Sequence, residues 1–280
     1  MLSPDEKMTK NNIKLLVIDI DGTLMMRAGE ISDDDRAALD AARKKYVTIS
    51  LCTGRAIQAG RLVVENLGLD GYHMFFDGGL VSNPQTGEHI YMQTIPDNLV
   101  RRAIAFARQN NIILDLWSAT DYFAEGENWV TDIRRDYFKV FPKFIDFNNL
   151  PDNQEIIKAT LVVRSPEEKA GAKRFRDQFN DSLHLSSTVT PAFPEIDFIN
   201  VLAPGVSKKA ALEALLRHIN ITLDQVMAIG DGRNDMPVIS AAGVGVAMGN
   251  APDEVKAVAD YVTLDADHSG VAEAIKKFLL

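Results

Sequence analysis

The stretch Leu15-Leu16-Val17-Ile18-Asp19-Ile20-Asp21-Gly22-Thr23-Leu24 constrains the fold of this chain more than any other. An apolar run ends in two aspartates at i and i+2, followed at once by Gly-Thr. The run predicts a strand covered on both faces, as in the middle of a parallel sheet. Such a strand has no structural use for two carboxylates at its end, because burying an unpaired charge is costly. A cation resolves the conflict. Two acidic groups where a strand gives way to a glycine turn suit a divalent metal and a phosphate. Ligands of open α/β sheets bind beyond the carboxyl ends of the strands.

The flanking pattern supports a parallel sheet. Ser32 reads as a helix N-cap with Asp35 three positions on, opening a helix to about Lys44. Tyr46 to Cys52 is a second buried strand, ended by Thr53-Gly54-Arg55. A helix with Ile57, Leu62, Val63 and Leu67 on one face follows. His73 to Phe76 is a third strand, ended by Asp77-Gly78-Gly79. This βαβαβ order implies parallel strands with right-handed crossovers. The pattern returns after Ser207, with a helix to about Ile219, a strand Val226 to Ile229, a helix Asp235 to Ala241, a strand Val244 to Ala247 and a last helix.

The middle reads differently. A hairpin around Thr86-Gly87 is expected within Leu80 to Ile95, then a helix Asn98 to Asn110 and strands Ile112 to Trp117 and Asp121 to Ala124. Glu155 to Arg164 is strand-like, and Ser165-Pro166 opens a helix to about Phe179. Leu183 to Thr190 and Ile196 to Leu202 read as paired strands. The expected architecture is α/β: a Rossmann-like parallel-sheet core from 1–82 and 206–280, with an inserted α+β domain over 83–205.

A chain of 280 residues with 46% apolar and 25% charged content is globular, and its net charge of −9 argues against nucleic acid or an anionic membrane as partner. Any phosphate site must therefore supply its own positive charge. Cys52 is the lone cysteine, so no disulfide forms within the chain, which fits a reducing, cytoplasmic setting; the side chain reads as a small buried hydrophobe. Met1 to Asn12 lacks the apolar core of a signal peptide, and no run reaches the length of a membrane span.

Asp19-Ile20-Asp21-Gly22-Thr23-Leu24 resembles the first motif, D-x-D-G-T-[LV], of the haloacid dehalogenase-like phosphatases. Three further motifs follow in order: Thr53-Gly54-Arg55; Lys208 after Gly205-Val206-Ser207; and Gly230-Asp231-Gly232-Arg233-Asn234-Asp235, which matches G-D-x-x-N-D. The insert between the second and third motifs resembles the large cap of the Cof-type (type IIB) branch. The resemblance implies a Mg²⁺-dependent phosphatase acting on a small phosphorylated metabolite such as a sugar phosphate.

Roles follow from the same resemblance. Asp19 matches the nucleophile; a carboxylate is already ionised and needs no neighbouring base. Asp21 matches the general acid and base, and its backbone carbonyl is a metal ligand in the family. Thr53, Gly54, Arg55, Lys208 and Asn234 match phosphate-binding positions, with Thr53 and Lys208 also counted as catalytic. Metal ligands are Asp19, Asp21 and Asp231. Asp235 stands behind them, holding Lys208 or a metal-bound water. Lys209 departs from the glycine common at its place.

Two other functions share these motifs. A phosphomutase would return the phosphoryl group to its substrate, and a non-enzymatic metabolite-binding regulator would normally have lost a motif aspartate. The glycine-rich Gly243 to Ala251 lacks the spacing of a dinucleotide fingerprint and reads as sheet core, with Asn250 a weak site candidate. The five histidines show no metal-ligand spacing. Trp117 and Trp129 suit either the insert's core or a substrate cleft. Oligomeric state, monomer or homodimer, is left open. One more departure stands out: the Cof-type pattern usually has N-G-A where this chain has Asp77-Gly78-Gly79. If Asp77 faces the site, its charge is expected to disfavour substrates with a second anionic group. Otherwise it is an ordinary turn residue.

Overall fold

A computed structural model describes residues 13–25, 29–190 and 193–280. The reading of Met1 to Asn12 as lacking a signal peptide falls outside the described residues, as does part of the connection Met25 to Ile31. Contacts divide the chain into two compact units. One holds the chain up to Gly54, Val64–Tyr91 and Ser207–Leu280; the other holds Arg55–Val63 and Met92–Val206. Residues 83–91 thus group with the first unit, because Ile90 and Tyr91 pack on its apolar core beside Leu15, Val17 and Met74.

The first unit is built on a five-stranded parallel sheet in the order Tyr261–Val262, Val244–Ala247, Val226–Gly230, Leu15–Ile18, Thr48–Leu51. All four residues of Leu15–Ile18 are buried, as a central strand requires. The helix Asp33–Lys44 begins where expected: the Ser32 hydroxyl accepts the Asp35 N–H at 3.0 Å. The helix Lys208–Ile219 starts the same way, with Ser207 accepting the Ala210 N–H at 3.1 Å. The order of the strands matters for function. Val226–Gly230, Leu15–Ile18 and Thr48–Leu51 are adjacent, so three of the four motifs leave the sheet side by side at its carboxyl end.

The third expected strand differs from the sequence reading. His73–Phe75 does not extend the parallel sheet as a full neighbour; it meets it only through one parallel bridge, Cys52 to Met74. It pairs instead antiparallel with Leu80–Asn83 in a separate three-stranded sheet with Glu88–Met92. Side chains stand where ladder partners would be. The Leu51 N–H donates to His73 Nδ1 at 3.1 Å, and the Ser50 hydroxyl donates to the Tyr72 carbonyl at 2.9 Å.

The second unit has a six-stranded sheet ordered His184–Thr190, Phe193–Leu202, Lys158–Val163, Ile113–Trp117, Tyr122–Ala124, Lys143–Phe144. Pairing is antiparallel except at the last, edge pair. One face carries Leu114, Leu116, Ala159, Leu161, Ile199 and Val201 into a core with helices Asp97–Gln109 and Pro166–Phe179. Ser165 and Glu168 cap the latter reciprocally. The opposite face is mixed: Ser186, Asn200, Thr160 and Asp115 stand in register across four strands, and Val162, Ile196 and Phe198 on the same side form a smaller apolar cluster with Val130. Helix Trp129–Asp136 reads from sequence only as a solvated face at Arg134-Arg135, but Arg134 is buried against that sheet face, where its guanidinium bonds the buried Asp115 at 2.9 and 3.0 Å.

Candidate active site

The first motif leaves the central strand as a tight turn. Asp19 directly follows Leu15–Ile18 and is buried, whereas the Asp21 side chain is exposed. Gly22 has φ of 85°, and a Cβ there would fall 2.5 Å from an Asp231 oxygen, so only glycine lets motifs one and four meet this closely. Beside it, the buried Thr23 hydroxyl donates to Asp231 Oδ1 at 2.8 Å.

Lys208, at the first turn of its helix, sends its ammonium into the same place. Nζ donates to Asp19 Oδ1 at 2.6 Å and to Asp235 Oδ1 at 2.6 Å. The other oxygen of Asp235 accepts the backbone N–H groups of Asp231 and Gly232 at 3.1 and 2.8 Å. The carboxylate thereby shapes the motif-four turn and fixes the lysine together. Asn250 binds from the next strand end. Its amide nitrogen donates to the Gly22 carbonyl at 2.8 Å and to Asp231 Oδ2 at 3.3 Å, while its oxygen accepts the Ala266 N–H at 3.1 Å.

Asp19, Asp231 and Asp235 each offer a carboxylate oxygen within 4.8 Å of the others. The electrostatics of this cluster are unbalanced. Burial pushes the Asp19 carboxyl well above the usual range; Lys208 opposes that, and Asp235, Asp231 and Asp21 add to it. Burial alone would depress the Lys208 ammonium, but Asp19 and Asp235 outweigh it and hold its pKa well above the ordinary lysine value. Asp231 is pushed up to about 6, first by burial and then by Asp235, against the hydrogen bond from Thr23. One ammonium stays charged and serves several carboxylates, so the uncompensated charge falls on the acids.

Thr53 and Gly54 continue the adjacent strand Thr48–Leu51, with Thr53 buried. Their neighbour is the turn after His73–Phe75. The Asp77 N–H donates to the Thr53 carbonyl at 3.0 Å, and the buried Asp77 carboxylate accepts the Asn234 amide at 2.8 Å. Asp77 therefore stands among the motif residues. Arg55 belongs to the stretch that groups with the second unit. Within the first unit, then, Asp19, Thr53, Gly54, Lys208, Asp231, Asn234 and Asp235 come together at one end of the sheet. Asp21 has its carboxylate at the exposed rim.

Residues 16–275 match the family model for haloacid dehalogenase-like hydrolases. The chain belongs to the haloacid dehalogenase-like hydrolase family. It is 30% identical to the Bacillus subtilis 5-amino-6-(5-phospho-D-ribitylamino)uracil phosphatase, over 96% of this chain and 97% of that protein. Among solved structures, a haloacid dehalogenase-like hydrolase from Bacteroides thetaiotaomicron superposes with a TM-score of 0.83 at 28% identity, covering 95% of this chain and 99% of that one. A sugar phosphatase of haloacid dehalogenase subclass IIB gives 0.76 at 29% identity, covering 95% and 98%. The chain is thus a Cof-type enzyme of the phosphatase class, with a parallel-sheet core and the fold of its cap-bearing relatives.

Two further residues bond to Asp231 here, of which the sequence points only weakly to Asn250 and not to Thr23. Thr23 lies inside the recognised motif, but nothing local says that its hydroxyl is spent on Asp231. Asn250 was only a weak candidate, because its partners Gly22 and Asp231 are distant in sequence and meet it only through strand order. Among the described residues, no helix is long and apolar enough to cross a membrane.

Proposed function

We propose that this enzyme is a Mg²⁺-dependent phosphomonoesterase that transfers the phosphoryl group of a small metabolite to Asp19 and then to water. The observation that carries this reading is the crowding of Asp19, Asp231 and Asp235 around the single ammonium of Lys208. An all-oxygen, net-negative donor set of this kind suits a hard divalent cation. Asp19, Asp231 and the backbone carbonyl of Asp21 would hold it. When bound, it offsets the repulsion between an anionic nucleophile and an anionic phosphate.

The chain's own groups do the rest. Asp19 attacks phosphorus in line, and the bond to the leaving oxygen breaks as the aspartyl-phosphate forms. Lys208 neutralises charge beside the attacking oxygen. The Thr53 hydroxyl and the Asn234 amide donate to phosphoryl oxygens, and Gly54 lets the ligand approach the backbone. Asp21, at the rim, gives a proton to the leaving alkoxide and later takes one from the hydrolytic water.

The second unit, with the sequence expectation of a cap over 83–205, is assigned substrate choice. Two polar groups on its sheet support this: the buried Thr160 hydroxyl and Trp117 indole N–H have no hydrogen-bond partner within the described residues. Unsatisfied buried donors of this kind are costly unless a ligand meets them.

The test is phosphate release across sugar phosphates, nucleotides and phosphorylated cofactors, with Asp19→Asn as control. Turnover of at least one phosphomonoester, lost in the variant, is the expected result. Isomerised substrate without free phosphate would replace the reading by a mutase, and no turnover of any kind would overturn it.

A further inference from the structure

The turn Phe76-Asp77-Gly78 is the least relaxed backbone near the site. All three residues have positive φ, of 55°, 55° and 96°. For aspartate and glycine this is tolerable, but for a buried phenylalanine it is a true outlier that the surroundings must impose. Three contacts impose it. The Asp77 N–H is tied to the Thr53 carbonyl at 3.0 Å. Gly78 lies so close to motif three that an added Cβ would fall 2.3 Å from the Ser207 carbonyl oxygen. The Asp77 carboxylate accepts the Asn234 amide at 2.8 Å. One strained turn thus touches motif two, the residue before Lys208, and motif four.

The identity of the side chain adds a second point. A carboxylate only accepts hydrogen bonds, so Asn234 must present its NH₂ group to Asp77. The amide oxygen is correspondingly turned to Gly232, 2.4 Å from where a Cβ would be. An asparagine at position 77 could accept the same bond through its side-chain oxygen, without the charge. Asp77 also fills the space beside the proposed phosphate-binding turn: a Cβ on Gly54 would fall 2.8 Å from Asp77 Oδ1, so only glycine fits there. Its charge reaches Lys208, where it adds to the hold of Asp19 and Asp235.

We infer that Asp77 is a positioning residue that fixes the Asn234 amide and, by its charge beside Gly54 and Asn234, limits the affinity of the site for orthophosphate. This rests on the proposed phosphate-binding roles of Thr53, Gly54 and Asn234. It refines the sequence expectation for Asp77. The carboxylate lies against the groups assigned to the phosphoryl group, which every substrate and the product share. Its main effect is therefore on phosphate itself, including product inhibition, and only secondarily on a second anionic group of the substrate.

Two variants separate orientation from charge. Asp77→Asn keeps an acceptor for Asn234 and removes the charge. Asp77→Gly removes both and is at ease at a φ of 55°. Orthophosphate is titrated calorimetrically into each protein in Mg²⁺ buffer, and kcat and KM are measured for an aryl phosphate. Asp77→Asn should bind orthophosphate about fivefold more tightly than the parent, the size expected of one charge at several ångströms in a partly wet site. Asp77→Gly should lose about tenfold in kcat relative to Asp77→Asn, so that asparagine restores what glycine loses. Equal orthophosphate affinity in parent and Asp77→Asn overturns the inference, as does indistinguishable kcat in the two variants. If Asp77→Gly fails to fold, the orthophosphate comparison decides alone. A parent that binds orthophosphate but hydrolyses nothing would sink the proposed function and leave this comparison readable.

Discussion

Lys208 Nζ lies 2.6 Å from Asp19 Oδ1 and, by its second contact, 2.6 Å from Asp235 Oδ1. The two bonds make Asp19, the proposed nucleophile, and the lysine unequal partners. Asp19→Asn removes one carboxylate from a crowded set, and Lys208 remains paired with Asp235. Turnover should fall at least a thousandfold, because an amide does not attack phosphorus, while the thermal midpoint holds or rises. Lys208→Met leaves buried acids facing one another without their cation. That should cost about 3 kcal/mol or more in metal-free buffer as well as turnover. Melting curves of both variants beside the parent check the asymmetry; equal midpoints for Lys208→Met and parent would show that the ion pair is not what balances the site.

Metal dependence should carry a pH signature. EDTA is expected to abolish turnover and Mg²⁺ to restore it, whereas Ca²⁺, with longer bonds and more ligands, should inhibit. Mg²⁺ should also raise the melting temperature, by the equivalent of about 2.7 kcal/mol at a hundredfold excess over its Kd. Binding needs ionised carboxylates, and burial pushes Asp231 up to about 6. The Mg²⁺-induced shift should therefore be full above pH 7 and shrink as pH falls through 6. A shift of the same size at pH 5 and pH 8 would exclude Asp231 as a ligand.

What the sequence made legible, and what it did not, follows from the range of the interactions. The central strand, the Ser32 and Ser165 caps and the four motifs are local patterns, each decided within a few residues by burial or capping chemistry. The third strand lies beside the second as expected, but its ladder is cut to one bridge because side chains, His73 and Ser50, take the place of ladder groups. The start of helix Trp129–Asp136 and the burial of Arg134 do not show in the sequence, although Asn128 and Thr131 form a capping box. Its apolar face is short, and Arg134 is buried only because Asp115 on another strand receives it. The roles of Thr23, Asn250 and Asp77 depend on which strands are neighbours, which periodicity alone does not specify.

Thr23 and Asn250 hold the two oxygens of Asp231 from opposite sides of the chain order. Groups that orient a metal ligand are worth about ten- to a hundredfold in affinity. Thr23→Val keeps the volume of the buried side chain and removes the donor, so the Mg²⁺ concentration for half activity should rise at least tenfold. Since the Thr23 hydrogen bond opposes the upward push on Asp231, its loss should also move the acid edge of Mg²⁺ binding to higher pH. Asn250→Ala should raise the Mg²⁺ requirement too, by less, because its bond to Asp231 is the longer one at 3.3 Å. Titrations of activity against Mg²⁺ at several pH values test both, and an unchanged requirement in Thr23→Val would reduce that bond to a structural contact.

His73 gives the chain a pH dependence separate from the site. Its ring is fully buried, and Nδ1 accepts the Leu51 N–H at 3.1 Å, so the imidazole is neutral with its proton on Nε2. Burial lowers its pKa to about 3, against 6.5 for an ordinary histidine. Between those values the unfolded chain binds a proton that the folded protein refuses. Stability from this residue is thus complete above about pH 6.5 and is lost as pH falls toward about 3; by pH 5 the loss is about 2 kcal/mol. The raised carboxyls of Asp19 and Asp231 act in the opposite sense, but they do so equally in a variant that leaves them alone. His73→Asn keeps an acceptor near the Leu51 N–H and does not titrate. It should be less stable than the parent at neutral pH, because the smaller side chain leaves a cavity, yet lose about 2 kcal/mol less between pH 7 and pH 5. Urea midpoints of both proteins at the two pH values provide the measurement, and parallel losses would mean that His73 is already protonated, or already exposed, in the folded protein.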